Sequence, residues 1–189
     1  MMNVVLISGS PRADGNTEQI IRACAATVEQ AGLTPQIIYL RDNDIFACKA
    51  CGYCKQNGKC RLDDCLNEII EQVRGAKGLI VASPVYFGTA RGDVMCLMQR
   101  LGMVSRSSDQ FLDGMVGGPI AVARRGRQTI NLSELLMFFF INGMIVPGST
   151  YWNMVVGNNI KGSAMEDTEG INTVTAFTEN LCNLIKKIN

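Results

Sequence analysis

Histidine is absent from all 189 residues. Its absence removes Ser-His-Asp and Cys-His nucleophilic machinery, histidine-bound zinc and histidine-bound haem together. It also removes the usual proton handler near neutral pH, so chemistry falls to a cofactor, to thiols, or to carboxylates and lysines. Charge imbalance is missing too. The 18 Lys and Arg against 17 Asp and Glu leave a net charge of +1, which excludes nucleic acid as the main partner because a phosphate backbone demands a basic surface. The longest apolar run, Leu135 to Ile141, falls far short of the roughly 20 residues that cross a bilayer, so no membrane partner is expected. No secretory leader opens the chain, and a cytoplasmic location is expected.

What is present is 47% apolar and 19% charged, a globular balance, in 189 residues that suffice for one well-filled domain and not for two. With no internal repeat, low-complexity tract or linker, a single domain over residues 1–189 is expected. Strand and helix signals alternate along it. Asn3–Ser8 is a continuous apolar run suited to a doubly covered strand, and Thr17–Ala31 carries apolar residues at helical spacing up to a stop at Gly32. Gln36–Leu40, Lys77–Ser83 and Pro119–Ala123 read as further strands, and Met144–Val146 as the start of a fifth. Helices are expected from about Asp64 to Gly75, Asp93 to Ser105, Thr129 to Asn142 and Asp167 to Ile188. The alternation argues an open parallel sheet with helices on both faces. The stretch Phe138–Phe140 is apolar all round, which a helix with one wet face cannot be, and it is expected to be buried between subunits.

Four of the eight cysteines crowd into Cys48, Cys51, Cys54 and Cys60, spaced C-x2-C-x2-C-x5-C. Three thiols at three-residue steps can turn toward one point, and Gly58 lets the chain fold back to deliver the fourth. The spacing favours one cubane [4Fe–4S] cluster. Zinc more often takes two C-x2-4-C knuckles set well apart, and a loop of free, metal-less thiols stands as the third reading. Lys49, Lys55, Lys59 and Arg61 surround the run, and positive neighbours favour thiolates. Cys24, Cys65, Cys96 and Cys182 sit singly among apolar residues and read as ordinary buried thiols.

The first strand runs into Gly9-Ser10-Pro11-Arg12-Ala13-Asp14-Gly15-Asn16-Thr17 and a helix follows. In open α/β sheets ligands bind at the carboxyl ends of strands, where a helix N-terminus offers free N–H groups to an anion. Neither a Walker loop nor G-x-G-x-x-G is present. A donor-rich loop without the pyrophosphate glycines suits a terminal phosphomonoester, pointing to FMN over NAD or FAD. After the third strand, Ser83-Pro84-Val85-Tyr86-Phe87-Gly88 offers amides and an apolar surface for a flat ring. After the fourth, Arg124-Arg125-Gly126-Arg127 offers guanidinium groups to a reduced flavin, an acidic partner or a nucleotide phosphate.

Taken in order, Gly9–Arg12 with Gly15–Thr17, the cysteine run followed by Asp63-Asp64, Ser83–Phe87, and Gly143–Gly148 with Tyr151-Trp152 resemble the NADPH-dependent FMN reductase-like family and, within it, the iron–sulfur flavoprotein branch. The resemblance implies a flavodoxin-like three-layer α/β sandwich with a five-stranded parallel sheet in the order 2-1-3-4-5, carrying a cysteine-rich loop insertion at about 41–63. It implies non-covalent FMN, homodimers or homotetramers, and flavin-mediated electron transfer. Ser10, Arg12, Asn16 and Thr17 would hold the FMN phosphate. Pro84, Val85, Tyr86 and Phe87 would lie along the flavin, and Arg124 and Gly126 near its pyrimidine edge. Cys48, Cys51, Cys54 and Cys60 match the cluster ligands. The arginine loop is more basic than the Gly-rich version expected of the family. The leading expectation is an oxidoreductase relaying electrons between a [4Fe–4S] cluster and FMN, from a ferredoxin-like donor. The alternatives are an NAD(P)H-dependent FMN or quinone reductase that needs no cluster, and a passive FMN-binding electron carrier or redox sensor.

Overall fold

Val4, Val5, Leu6 and Ile7 expose no surface at all, which requires cover on both faces of their strand. The computed structural model, which describes residues 2–189, supplies that cover. Because successive strand side chains point to opposite faces, Val5 and Ile7 of β1 (Asn3–Ser8), with Leu79 and Val81 of β3 (Gly78–Tyr86), enter one apolar core. Val4, Leu6, Ile80 and Ala82 enter the other. The first core is closed by α3 (Leu66–Arg74), α4 (Gly92–Ser107) and α5 (Gln128–Ile141). The second is closed by α1 (Asn16–Gln30) and α6 (Thr168–Ile188). The result is a three-layer, flavodoxin-like α/β sandwich.

The sheet runs β2 (Thr34–Tyr39), β1, β3, β5 (Val116–Ala123), β6 (Met154–Val156), all parallel. Counting parallel strands alone, this is the expected order 2-1-3-4-5. One strand lies outside that count: β4 (Thr89–Ala90) folds back antiparallel on the end of β3, pairing Val85 with Ala90 and Tyr86 with Thr89. The segment read from sequence as a loop after the third strand is therefore the tip of a hairpin.

The start of the last strand differs from expectation. Ile145 makes a single parallel bridge to Val116, the chain then leaves the sheet, and pairing resumes only at Met154–Val156 against Ala121–Ala123. Pro147, which has no N–H to give to a ladder, follows directly on Val146. The short apolar run was read correctly as sheet-forming but accounts for one bridge, not for a strand.

The segment from 43 to 52 is irregular and leads into a short helix, α2 (Tyr53–Asn57), bounded by Gly52 and Gly58, both left-handed. It is anchored by a buried ion pair, Arg100 of α4 with Asp64. On α5, Leu135 and Phe139 are buried, with Phe138 set edge-on to Phe139 at 5.3 Å. Met137, Phe140 and Ile141 are more than half exposed and Ile130 half exposed in the single chain. Among the described residues, no helix is long and apolar enough to cross a membrane.

Small residues let the layers meet. A Cβ on Gly117 of β5 would fall 2.5 Å from the Leu79 carbonyl oxygen and 3.0 Å from the Phe139 ring. Gly117→Ala is therefore expected to destabilise the fold by about 1–3 kcal/mol, the range for overpacking. An unchanged urea midpoint would show that the sheet shifts freely at this point.

Candidate functional site

Four loops meet at the carboxyl ends of β1, β3, β5 and β6. They line a cleft of about 130 Å³ formed by Ser10, Pro11, Arg12, Asn16 and Thr17, by Pro84, Val85 and Tyr86, by Val122, Ala123 and Arg124, and by Gly157, Asn158 and Asn159. Eight of the ten residues expected from sequence to bind a cofactor stand together there: Ser10, Arg12, Asn16, Thr17, Pro84, Val85, Tyr86 and Arg124. Phe87 lies just outside on the hairpin tip, its ring fully exposed, and Gly126 lies on the exposed arginine loop.

The first loop is built around an uncapped helix. Gly15 is the N-cap of α1 and offers no side-chain cap, so the first-turn N–H groups keep their donors free, as helix N-termini do. Gly15 is required by close approach, since a Cβ there would sit 2.5 Å from Ser10 Oγ. The Ser10 hydroxyl donates to the Arg12 carbonyl at 2.8 Å and accepts from the Arg12 N–H at 3.3 Å. Ser10 thus shapes the loop. Asn16 does something the sequence did not disclose. Its side-chain amide donates to the Asn158 carbonyl at 2.9 Å and to Ser163 Oγ at 3.1 Å, and its Oδ1 accepts from the Ala164 N–H. Asn16 therefore ties the last loop to the first, leaving its backbone N–H as the donor facing the cleft. Arg12 is exposed and, among the described residues, its side chain makes no ion pair or hydrogen bond.

Behind the cleft, the Arg91 N–H donates to Ser83 Oγ at 3.0 Å and its guanidinium to the Gly9 carbonyl at 3.3 Å, while pairing with Asp93 at 2.6 Å. Burial pushes the Asp93 carboxyl above its usual range, partly offset by Arg91 and the Val94 N–H. The Pro84 carbonyl accepts from Asn131, and Glu134 of α5 accepts from the Thr89 hydroxyl at 2.5 Å and the Ala90 N–H at 3.0 Å, fixing the hairpin.

Three functional features escaped the sequence. Gly157–Asn159 went unnoticed because the strand before it was placed ten residues early. Glu18, wholly buried in the first turn of α1, pairs with Arg22 and Arg41. Its i,i+4 spacing to Arg22 was the available signal, whereas Arg41 comes from the far end of β2. Third, Phe87 and Gly88 both have positive φ, 51° and 92°, a two-residue turn of the kind that matches strand twist in hairpins.

The cysteine segment gives a different outcome. Cys48, Cys51, Cys54 and Cys60 line one cavity of about 220 Å³ together with Arg100 and Met103. Their sulfurs do not gather, however. Among the described residues no group of three or more His, Cys, Asp or Glu is placed to hold a metal ion. Cys48 and Cys51 are exposed on the irregular stretch, and Cys54 and Cys60 are half-buried. Cys60 Sγ accepts a hydrogen bond from the Arg100 guanidinium at 3.0 Å, while its backbone is clamped by Asn67 through bonds of 2.8 and 3.0 Å. Burial pushes the Asp64 carboxyl up, but the bond from Arg100 and the Phe46 and Leu66 N–H groups outweigh it and hold it below the usual range.

The sequence profile of the NADPH-dependent FMN reductase family matches residues 2–159. The chain belongs to that family. It is 33% identical over 189 residues to an iron–sulfur flavoprotein of Methanosarcina thermophila, covering 99% of this chain and 97% of that one. With an iron–sulfur flavoprotein of Methanocaldococcus jannaschii the identity is 34% over 194 residues, covering 99% of each. Among solved structures, RosB with a bound 8-demethyl-8-formylriboflavin-5′-phosphate intermediate superposes with a TM-score of 0.77 at 17% identity, covering all of this chain and 81% of that one. At that identity the likeness concerns the fold alone. Membership makes the chain a flavin oxidoreductase, and the resemblance to the iron–sulfur flavoprotein branch extends over nearly its whole length. The expected relay between a [4Fe–4S] cluster and FMN is nevertheless overturned, and with it the ligand roles of Cys48, Cys51, Cys54 and Cys60. The spacing brought the thiols to one cavity, but among the described residues it did not converge them on a point.

Two of the remaining cysteines behave as expected. Cys24 and Cys182 are buried, and burial pushes each thiol up to about 11 from an ordinary 9.0. Cys65 and Cys96 are only half-buried. A raised folded-state value means that Cys24 and Cys182 stabilise the fold fully below pH 9 and lose that contribution as pH rises through about 11. The wild-type urea midpoint should fall more steeply between pH 8.5 and 10.5 (about these limits) than that of a Cys24→Ala/Cys182→Ala double variant. Parallel slopes for the two proteins would refute the assignment.

Proposed function

We propose that this chain is an NAD(P)H-dependent reductase of the FMN or quinone reductase type, with FMN held non-covalently in the cleft. The observation that carries the reading is the pairing of an uncapped α1 N-terminus with an unpartnered Arg12 at the carboxyl end of β1. Free N–H groups, the helix dipole and one guanidinium form a site for a phosphate dianion. The close seat of Gly15 against Ser10 leaves the backbone room to approach it. The cleft of about 130 Å³ suits a phosphate and the chain attached to it, and is smaller than the roughly 300 Å³ or more of a site enclosing a whole ligand. The flat ring would therefore run out of the cleft along its wall at Pro84, Val85 and Tyr86 toward Phe87.

Bound there, FMN supplies the redox chemistry, taking a hydride from nicotinamide and passing electrons to an acceptor. The residues do the rest. Arg12, the Thr17 hydroxyl and the N–H groups of Asn16 and Thr17 neutralise and fix the phosphate. Ser10 and Asn16 hold the two loops around it. Arg124 stands at the pyrimidine edge, where a fixed cation favours negative charge as it develops, and Gly126 adds no side chain to obstruct it. Hydride transfer asks nothing of the cysteines. The reading takes residues 1–189 as one flavin-binding domain with the cysteine segment at about 41–63 inserted in it, and a cytoplasmic setting is supported by eight unpaired thiols.

FMN-loaded protein kept free of oxygen should bleach in its visible flavin band on adding NADPH or NADH, and Cys51→Ser should bleach at the wild-type rate. Arg12→Ala should weaken FMN about 10- to 100-fold, the loss expected for one charge-assisted contact, as titrated by quenching of flavin fluorescence. Bound flavin that stays yellow with both nucleotides would refute the donor, and unaltered affinity in Arg12→Ala would refute the phosphate site.

The same reading takes the working unit as a homodimer or homotetramer. The apolar groove between α4 and α5, about 410 Å³ and lined by Met95, Met98, Met103, Met137 and Ile141 among others, supports it together with the exposed Phe140. Sedimentation should give a multiple of the 20.6 kDa chain, and Phe140→Glu/Ile141→Lys should shift it toward the monomer. A monomeric wild type would exclude this assembly.

A further inference from the structure

We propose that the cysteine segment is a thiol–disulfide exchange site, in which Cys60 attacks a small disulfide that carries carboxylates and Cys54 completes the exchange. Its cavity shares no lining residue with the cleft, and the proposal does not rest on the flavin reading.

A metal centre needs several ligands about one point, whereas a disulfide needs two thiols. Of the four that line the cavity, Cys48 and Cys51 are exposed, while Cys54 and Cys60 are half-buried and pack against the first core. All four are free, the state from which exchange starts. Cys60 is the better placed to attack. The Asn67 side chain bonds both its backbone N–H and its carbonyl, and its Sγ accepts from the Arg100 guanidinium at 3.0 Å. A neighbouring cation favours the thiolate, and the thiolate is the attacking species. Cys54 lies in α2, and the left-handed Gly58 turns the chain between the two thiols. A bond between them would close a short loop.

The lining also selects the reagent. Lys49, Lys55, Arg61 and Arg100 line the cavity and no carboxylate does. Among the described residues the exposed Lys49, Lys55 and Arg61 pair with no acid, and the Asp64 side chain that balances Arg100 is wholly buried. Arg100 is 1% exposed, and its Nε–H has no acceptor among the described residues, a costly state for a buried donor. An anion entering the cavity therefore meets cations with donors to spare. Met103 and Val104 add apolar lining, and about 220 Å³ admits a short aliphatic arm. Exchange then balances without a further oxidant. The Cys60 thiolate attacks one sulfur of R–S–S–R, where R ends in a carboxylate. A bond forms between Cys60 Sγ and that sulfur, the S–S bond of the reagent breaks, and its electron pair leaves with R–S⁻. The Cys54 thiolate then attacks Cys60 Sγ, forms the Cys54–Cys60 disulfide and expels the second R–S⁻. The two protons lost by the thiols are taken up as both R–S⁻ become R–SH. The chain is oxidised by two electrons and the reagent reduced by two.

The test uses the reduced full chain and two small disulfides of opposite charge, dithiodipropionate and cystamine, each rate being divided by that of free cysteine with the same reagent. Peptide mass spectrometry maps the adducts and any internal disulfide. On that scale dithiodipropionate is expected to react at Cys60 about 10-fold or more faster than cystamine, the gain that a cleft of one sign gives an oppositely charged ligand. It should also react there faster than at the exposed Cys48 and Cys51. The end product should hold a Cys54–Cys60 disulfide, and Cys54→Ser should stop at the Cys60 adduct. Lys55→Glu/Arg61→Glu, at exposed positions, keeps every thiol and the Arg100–Asp64 pair and should bring the two reagents level. Equal scaled rates in the wild type, a preference that survives the charge reversal, or attack at Cys48 or Cys51 ahead of Cys60 would overturn the proposal. A wild-type Cys60 adduct that never closes to a disulfide would overturn the role of Cys54.

Discussion

A parallel sheet sends every loop that follows a strand to one edge, and in this chain that edge gathers the loops that line the cleft. The uncapped turn of α1, Arg12, the Phe87-Gly88 hairpin tip, the arginine loop and Gly157–Asn159 arrive there from four different strands. Nothing in local sequence requires them to meet. They meet because doubly covered apolar strands pair in parallel, each crossover must return over a helix, and right-handed crossovers bring every helix N-terminus to the same side. The cleft is thus a by-product of burying Val4 to Ile7 and Leu79 to Ala82 on both faces.

The cysteine segment obeys a different constraint. It packs only Ile45, Cys54 and Cys60 against the first core, and it is also held by polar anchors, chiefly the buried Asp64–Arg100 pair. Removing one partner of such a pair is strongly destabilising, because the other is left as a bare buried charge. Arg100 also binds Cys60 and the Phe46 carbonyl. One guanidinium therefore ties Phe46, Cys60 and Asp64 together and fixes the path of the segment at both ends.

Most positions that the resemblance singles out line the cleft, but their side chains are not all turned to it. Ser10 and Asn16 look like ligand contacts in a linear reading, since both are donors beside a helix start. In the fold their side chains bind protein, Ser10 to its own loop and Asn16 to Asn158 and Ser163. They position the groups that face the ligand. Such a division is common where a site must be rigid before the ligand arrives.

The parts legible in the chain itself are those set by short-range physics. Apolar runs specified β1 and β3, helical spacing specified α1, α3 and α6, and the donor-rich turn after β1 marked one wall of the cleft, because hydrophobic period and helix-end chemistry act over a few residues. What the fold alone decided depends on residues far apart in sequence. The detour between Ile145 and Met154 joins one bridge at the start of β5 to the pairing of β6 at its end. Asn16 meets Asn158 across 142 positions, and Arg41 meets Glu18 only once β2 lies beside α1. Cysteine spacing brings four thiols to one cavity, but the bond that holds Cys60 comes from Arg100, forty positions away, and a buried charge pair is satisfied by tertiary structure or not at all.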